Sequence, residues 1–98
     1  MDTPLAIAAL AALAQESRLA VFRLLVQAGP GGGMNASDIA TTLGLPPSSL
    51  SFHLKELVHA GLIRATPNGR FITYAAQYET MQDLVGFLTA NCCGGAAC

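Results

Sequence analysis

The chain has 98 residues, of which 52% are hydrophobic and 11% charged, and its formal net charge is −1. This length fits one small domain, and the apolar content excludes an intrinsically disordered chain. The same content is high for an isolated monomer, so we expect a second copy of the chain to cover an apolar face.

The longest apolar run covers residues 4–14 and is about half of the ~20 residues that a bilayer crossing needs. Asp2 precedes this run, where a secretion signal would carry basic residues. We therefore expect no membrane segment and a cytoplasmic location, in which thiols stay reduced.

Two helices are predicted in the first third of the chain. Residues 3–14 are rich in Ala and Leu, and Pro4 near their start suits a helix N-terminus. A second helix is expected over residues 15–28, and the glycine-rich residues 29–33 end it as a connector. One face of this second helix would carry Leu19, Phe22, Leu25 and Val26.

A pair of short helices is predicted next. Asn35 can cap the first of them, and Gly44 stops it. Pro46 and Pro47 fit the first turn of the second helix, which Gly61 ends. Two helices joined by a short glycine-containing turn form a helix-turn-helix pattern. The inward-facing residues are expected to be Ile39 and Leu43 in the first helix and Leu50, Leu54, Leu57 and Val58 in the second.

The rest of the chain predicts a hairpin and a last helix. Residues 62–76 form two strand-like runs around Asn68-Gly69, a strong turn signal. A helix over residues 77–90 would follow, with Met81, Leu84, Val85 and Leu88 on one face. This order of elements describes a winged helix-turn-helix, a mainly α fold with a β-hairpin wing. We expect it to span residues 1–91, with a separate cysteine-containing tail over residues 92–98.

The second helix of the pair carries side chains suited to DNA on the face opposite Leu50. Short hydroxyls near a helix N-terminus suit phosphate oxygens and base edges. Phe52 could pack on a thymine methyl group. The predicted DNA-contacting residues of this helix are Ser48, Ser49, Ser51, Phe52, His53 and Lys55.

Arg64 and Arg70 bracket the hairpin, whose tip can reach a phosphate backbone or a minor groove. Residues 39–78 hold these two arginines and Lys55 against Glu56 alone, a local balance of +2. A dimer would double this positive charge on one face, although the whole chain is slightly acidic.

Each of these residues also has a simpler interpretation. Ser48 or Ser49 could cap the helix, and His53 could bond to backbone at the edge of the core. Phe52 could pack under a neighbouring helix, and the arginines could be ordinary surface charges. The combination of these residues, rather than any one of them, predicts DNA binding.

Three segments, ESRLAVFRLL, MNASDIATTLGLPPSSLSFHLKELVHAGLI and GRFITY, resemble the ArsR/SmtB family of metal-responsive repressors. The resemblance covers roughly residues 13–90. It implies a homodimer built by the first and last helices, a recognition helix around residues 48–59 and a wing around residues 64–74. It also implies a palindromic operator that overlaps a promoter and is bound by the metal-free dimer.

Two metal sites of that family are missing. The segment NASDIATTL lacks the Cys-Val-Cys motif that many arsenic and cadmium sensors carry in this helix. The segment QYETMQDLVGFLTAN holds Glu79 and Asp83 but not the histidine used by zinc sensors. An inducer must therefore be sensed elsewhere, or not at all.

All three cysteines, Cys92, Cys93 and Cys98, lie in the last seven residues. Thiolates select soft metals and metalloids, and three of them suit trivalent arsenic or antimony, whereas zinc normally takes four ligands. Gly94 and Gly95 let the chain fold back, so that Cys98 could complete a three-sulfur site. The tail resembles that of arsenite-sensing ArsR repressors with Cys-Cys and a later Cys after the last helix, which implies As(III), or Sb(III), as inducer.

Several alternatives remain open. The thiols could be incidental, could form a redox-sensing disulfide, or could bind cadmium or lead. Two sulfurs could suffice for a methylated arsenical, which would make Cys98 optional. A metalloid carrier without a DNA role would explain the cysteines but not the helix pair and the hairpin. The sequence shows no phosphate loop and no nucleophile–base arrangement, so we do not expect an enzyme.

Overall fold

The part of the chain that the computed structural model describes, residues 1–95, contains five α-helices and a three-stranded sheet, followed by a short 3₁₀ segment, Cys92–Gly95. This arrangement confirms the predicted mainly α fold with a hairpin wing. Cys98, and with it one predicted metal ligand, lies outside the described residues. The elements are α1 Thr3–Leu13, α2 Glu16–Ala28, β1 Met34–Asn35, α3 Ala36–Leu43, α4 Pro47–His59, β2 Ile63–Asn68, β3 Phe71–Ala76 and α5 Tyr78–Thr89.

Local side-chain chemistry sets the helix boundaries. The Asn35 side chain accepts a hydrogen bond from the Asp38 amide at 2.9 Å, so the predicted cap of α3 is confirmed. The side chains of Asp2 and Gln15 cap α1 and α2 in the same way. Gly44 ends α3 in the left-handed conformation, with φ of 66°, as glycine does most readily.

The sheet is antiparallel, with strand order β1-β3-β2. Asn68 pairs with Phe71, which leaves Gly69 and Arg70 as the two-residue turn of the predicted hairpin. The short strand β1, which pairs with Thr73 and Tyr74 of β3, was not predicted. It depends on Gly33, where any side chain would collide with the Thr73 methyl group.

The core lies between α2, α3, α4 and the base of the hairpin. One predicted core position is wrong, since Val58 is 38% exposed, and Leu19, which was expected on the apolar face of α2, is 44% exposed. Both lie at the edge of a helical stripe whose centre is buried, and Val21 occupies the buried position in α2 instead. The largest fully buried side chains are Val21, Leu25, Ile39, Leu50, Leu54, Leu57, Leu62 and Ile63.

The first and last helices keep much of their apolar surface exposed. The alanines Ala6, Ala9 and Ala12 of α1 are buried, whereas only Leu84 is buried in α5. The exposed apolar side chains are Leu5, Ile7 and Leu10 on α1, and Val85 and Leu88 on α5. The predicted stripe on α5 therefore exists, but half of it does not face the core of its own chain.

Within residues 1–95, no single helix is long and apolar enough to cross a membrane. The pair α1 and α2 passes that test only when taken together, across a bend of 101°.

Candidate nucleic-acid interface and cysteine tail

The start of α4 is left open toward solvent. Pro46 occupies the N-cap position and makes no side-chain capping bond, and α4 begins at Pro47. Ser48 and Ser49 lie inside the first turn and are exposed. The interpretation of these serines as helix caps is therefore wrong, and their hydroxyls remain accessible beside the amide groups of the first turn.

The outer face of α4 combines polar and aromatic groups. Phe52 is 56% exposed, so it does not pack under a neighbouring helix. Lys55 is exposed on the same face. The Ser51 hydroxyl is also exposed, although it donates a hydrogen bond to the Pro47 carbonyl at 3.1 Å. An exposed aromatic ring beside hydroxyls and one cation is the mixture that reads base edges and phosphates.

His53 lies at the border of this face. It is half-buried, and its ring contacts that of Phe52 edge-on, with the centroids 6.0 Å apart. Its Nδ1 atom is buried and has no hydrogen-bond partner among the described residues, so this nitrogen does not form the backbone bond that sequence reasoning considered. Instead, the His53 ring packs edge-on against the exposed ring of Phe52.

The two arginines of the hairpin lie in different surroundings. Arg64, near the start of β2, is exposed and lines a groove together with Gln77 and Glu79. Arg70 lies in the turn between the strands and is also exposed. Glu79 places a carboxylate in the same groove as Arg64, although the two form no ion pair in the described part of the chain, whereas the groove that Arg70 lines is bordered by no carboxylate there.

The described part of the tail turns sharply after α5. Asn91, Cys93, Gly94 and Gly95 all have positive φ values, of 58°, 56°, 66° and 92°. Cys92 and Cys93 are exposed. No group of three metal-ligating side chains occurs within residues 1–95. Because Cys98 lies outside that range, the three-thiolate site stays a prediction.

Sequence reasoning missed the apolar side chains near the tip of the hairpin. Phe71 is 61% exposed and Ile72 is also exposed. The signal was present in the sequence, since two consecutive apolar residues directly after a turn cannot both face a core in a strand.

Residues 13–65, more than half of the chain, match the helix-turn-helix domain family, and the chain belongs to that family. A search of curated proteins gave no match. The structure is similar to an ArsR-like transcriptional regulator from Rhodococcus sp. RHA1, at 27% identity over 87% of this chain and 76% of that chain, with a TM-score of 0.77.

Two further solved structures are similar. The AntR antimony-specific transcriptional repressor is 25% identical over 84% of this chain and 72% of that chain, with a TM-score of 0.65. A homodimeric winged helix-turn-helix DNA-binding domain from Mycobacterium bovis, a possible ArsR-family regulator, is 22% identical over 97% of this chain and 87% of that chain, with a TM-score of 0.72. This chain thus has an ArsR-like transcriptional regulator fold with a DNA-binding helix-turn-helix.

Proposed function

We propose that this protein is a cytoplasmic transcriptional repressor that binds double-stranded operator DNA as a homodimer. It releases that DNA when As(III) binds the thiolates of Cys92, Cys93 and Cys98. Sb(III) and methylarsenite are alternative inducers with the same soft-donor preference. The observation that carries the proposal is the position of two adjacent exposed cysteines directly after α5, a helix whose apolar face is uncovered.

The uncovered faces of α1 and α5 support the homodimer. These two helices contact one another and expose five large aliphatic side chains between them. Large apolar side chains left exposed on two helices that contact each other indicate a protein–protein contact. The homodimeric neighbour from Mycobacterium bovis has the same fold. A second copy of the chain is therefore the simplest cover for this surface.

A twofold dimer explains how α4 would read DNA. It would present two copies of the exposed α4 face, spaced for successive major-groove half-sites. Ser48 and Ser49 would meet phosphates or base edges, and Phe52 would pack on a thymine methyl group. Ser51, His53 and Lys55 would complete the contact from α4, with Arg64 and Arg70 on the wing.

The chemistry of the tail favours a trivalent metalloid. As(III) and Sb(III) bind three thiolates and keep a lone pair in the remaining direction, so a fourth protein ligand is not needed. The left-handed backbone from Cys93 to Gly95 turns the chain immediately after the first two sulfur donors. A turn at this point is what Cys98 would need to approach them. The AntR repressor, an antimony-specific protein, has a similar structure.

Release of DNA would follow from a change at the end of α5. Ordering of the tail by the metalloid would shift α5 within the dimer contact and alter the tilt of the two α4 helices. The coupling free energy of such switches is typically ~1–3 kcal/mol. Because coupling is reciprocal, operator DNA would weaken As(III) binding by the same factor.

A fluorescence anisotropy titration tests this proposal. The reduced protein is bound to a labelled duplex from the upstream region of its own operon, and arsenite is then added. Arsenite should release the wild type but not Cys92→Ser/Cys93→Ser, which should bind the duplex normally before arsenite is added. Release of the double variant by arsenite would contradict the proposed site. Release by a thiol oxidant but not by arsenite would favour the redox alternative.

A further inference from the structure

The outer end of the hairpin extends past the three-stranded part of the sheet. Strand β1 pairs with Thr73 and Tyr74 and reaches no further along β3. The hairpin from Pro67 to Ile72 therefore consists of two strands and their turn. All six residues of this segment are exposed. A two-stranded hairpin end has no core of its own, so an aromatic side chain there adds little to the stability of the fold. The aromatic residue at the tip therefore needs a reason other than stability.

The side-chain alternation of β3 separates its two faces. Tyr74 packs against the hydrophobic core, so the face that it shares with Ile72 is the core side of the strand. Phe71 lies on the opposite face, pairs across the hairpin with Asn68 and is 61% exposed. Together with Arg70 in the turn, the tip offers an aromatic ring, an amide and a guanidinium to solvent.

These three chemistries match those of proteins that enter the DNA minor groove. Such proteins use Arg and Asn to read the groove and an apolar wedge, often Phe, against the sugars or between base steps. The charge balance points the same way. Residues 39–78 carry three cations against one carboxylate, and Arg64 shares its groove with Glu79. Few cations are therefore available for phosphates on this surface, so an apolar contact would supply a larger share of the affinity.

We propose that Phe71 is a DNA-contacting residue of the wing, which packs its ring into the minor groove beside the half-site that α4 reads, while Arg70 binds the adjoining phosphate. This inference rests on the proposed DNA-binding function and deepens it. The salt dependence of binding would be shallow, because the Phe71 contact releases no counterions.

Salt-dependent anisotropy titrations of the operator duplex test this role. Phe71→Ala should weaken binding on the order of tenfold with an unchanged salt slope, as expected for an apolar contact to sugar or base. Arg70→Ala should also reduce the magnitude of the salt slope, by about 1, because one phosphate contact is lost. Ile72→Ala is the matched control, since Ile72 lies next to Phe71 on the core side of the strand, and it should bind as the wild type does.

Modified bases then locate the contact. Replacing adenine by 2,6-diaminopurine adds an amino group to the minor groove and leaves the major-groove pattern intact. At the pairs flanking the half-site, this change should weaken the wild type much more than Phe71→Ala, a coupling that a double-mutant cycle measures. The inference would be overturned if the modified base reduced the DNA affinity of both proteins equally, or if Phe71→Ala bound the operator as tightly as the wild type. The exposed ring would then be a candidate contact for a protein partner. Failure of the wild type to bind the operator at all would instead reject the proposed function.

Discussion

The hydroxyl of Tyr78 donates a hydrogen bond to the carbonyl oxygen of Val26, with 3.1 Å between the two oxygens. Val26 lies in the last turn of α2, where the backbone carbonyl groups have no amide donor within the helix. Tyr78 is the first residue of α5. The bond therefore fastens the start of the proposed dimerisation helix to α2, which packs against both α3 and α4. Through α2, it connects the helix that precedes the cysteines to the helix-turn-helix.

Removal of this link should be measurable as a loss of stability. Tyr78→Phe deletes the hydroxyl and leaves the Val26 carbonyl with one partner fewer, which should lower the free energy of unfolding by about 1 kcal/mol. Urea denaturation at a fixed protein concentration measures the change, since dimer stability depends on concentration. Tyr74→Phe is the control, because Tyr74 is also half-buried but its hydroxyl forms no hydrogen bond within residues 1–95. Equal effects of the two substitutions would show that the bond contributes nothing.

The turn between α3 and α4 should be sensitive to the residue at position 44. Gly44 has a φ of 66°, and a Cβ placed there would meet no atom within 4 Å. Gly44→Ala should therefore lower the free energy of unfolding by roughly 1–2 kcal/mol through backbone conformation alone. Gly44→Asn should lose less, because asparagine adopts the left-handed region more readily. Thermal unfolding of the three proteins gives this order, and an alanine variant as stable as the wild type would contradict it.

The apolar face of α5 should control the oligomeric state. Leu88→Glu places a carboxylate at an exposed apolar position of α5, and burial of an unpaired charge in a dimer contact costs several kcal/mol. We expect the dimer dissociation constant to rise by more than about 100-fold. Analytical ultracentrifugation over a concentration series measures this change.

Phe71→Glu is the control for this experiment. It introduces the same charge at an equally exposed ring on the wing. It should leave the dimer intact and abolish operator binding, since a carboxylate at the wing tip repels phosphates. A monomeric Phe71→Glu protein, or a dimeric Leu88→Glu protein, would show that the interface has been assigned to the wrong surface.

Substitutions of two neighbouring residues can test which face of α4 packs against the core. Leu57 is fully buried, whereas Val58 is 38% exposed. Leu57→Ala should lower the free energy of unfolding by about 2–5 kcal/mol, because it removes buried methyl groups and leaves a cavity. Val58→Ala should change it by less than about 1 kcal/mol. Chemical denaturation measures the free energy of unfolding of both variants. Similar decreases in the two variants would show that the wrong face of α4 has been assigned to the core.

Most of the fold could be predicted because its signals are local. Asn35 as a helix cap, Gly44 as a helix stop and Asn68-Gly69 as a hairpin signal each act within a few residues of the chain. Strand β1 could not be predicted in this way, since two residues form it by pairing with β3 at a distant point of the sequence. Val58 was wrongly assigned to the core because helical periodicity locates the centre of an apolar stripe better than its edges, and Leu19 is exposed at the edge of its own stripe for the same reason.

In the candidate site, too, the features set by local sequence could be predicted and those set by tertiary contacts could not. The face of α4 followed from the buried stripe of Leu50, Leu54 and Leu57, which leaves Ser48 and Phe52 on the outside. The family resemblance implied that α5 takes part in a dimer, but its apolar residues by themselves fit an ordinary core helix, and their exposure is the structural support for a partner. Two consecutive apolar residues after the turn indicated that either Phe71 or Ile72 would be exposed, but the full exposure of the wing tip depends on where β1 stops pairing with β3, which is a tertiary property.

The arsenic K-edge X-ray absorption spectrum of the reduced protein with one equivalent of arsenite per chain tests the central claim most directly. The account predicts a coordination shell of three sulfur atoms and no oxygen, and the loss of sulfur scatterers from this shell in Cys92→Ser/Cys93→Ser. A shell without sulfur, or an identical spectrum from the double serine variant, would contradict it.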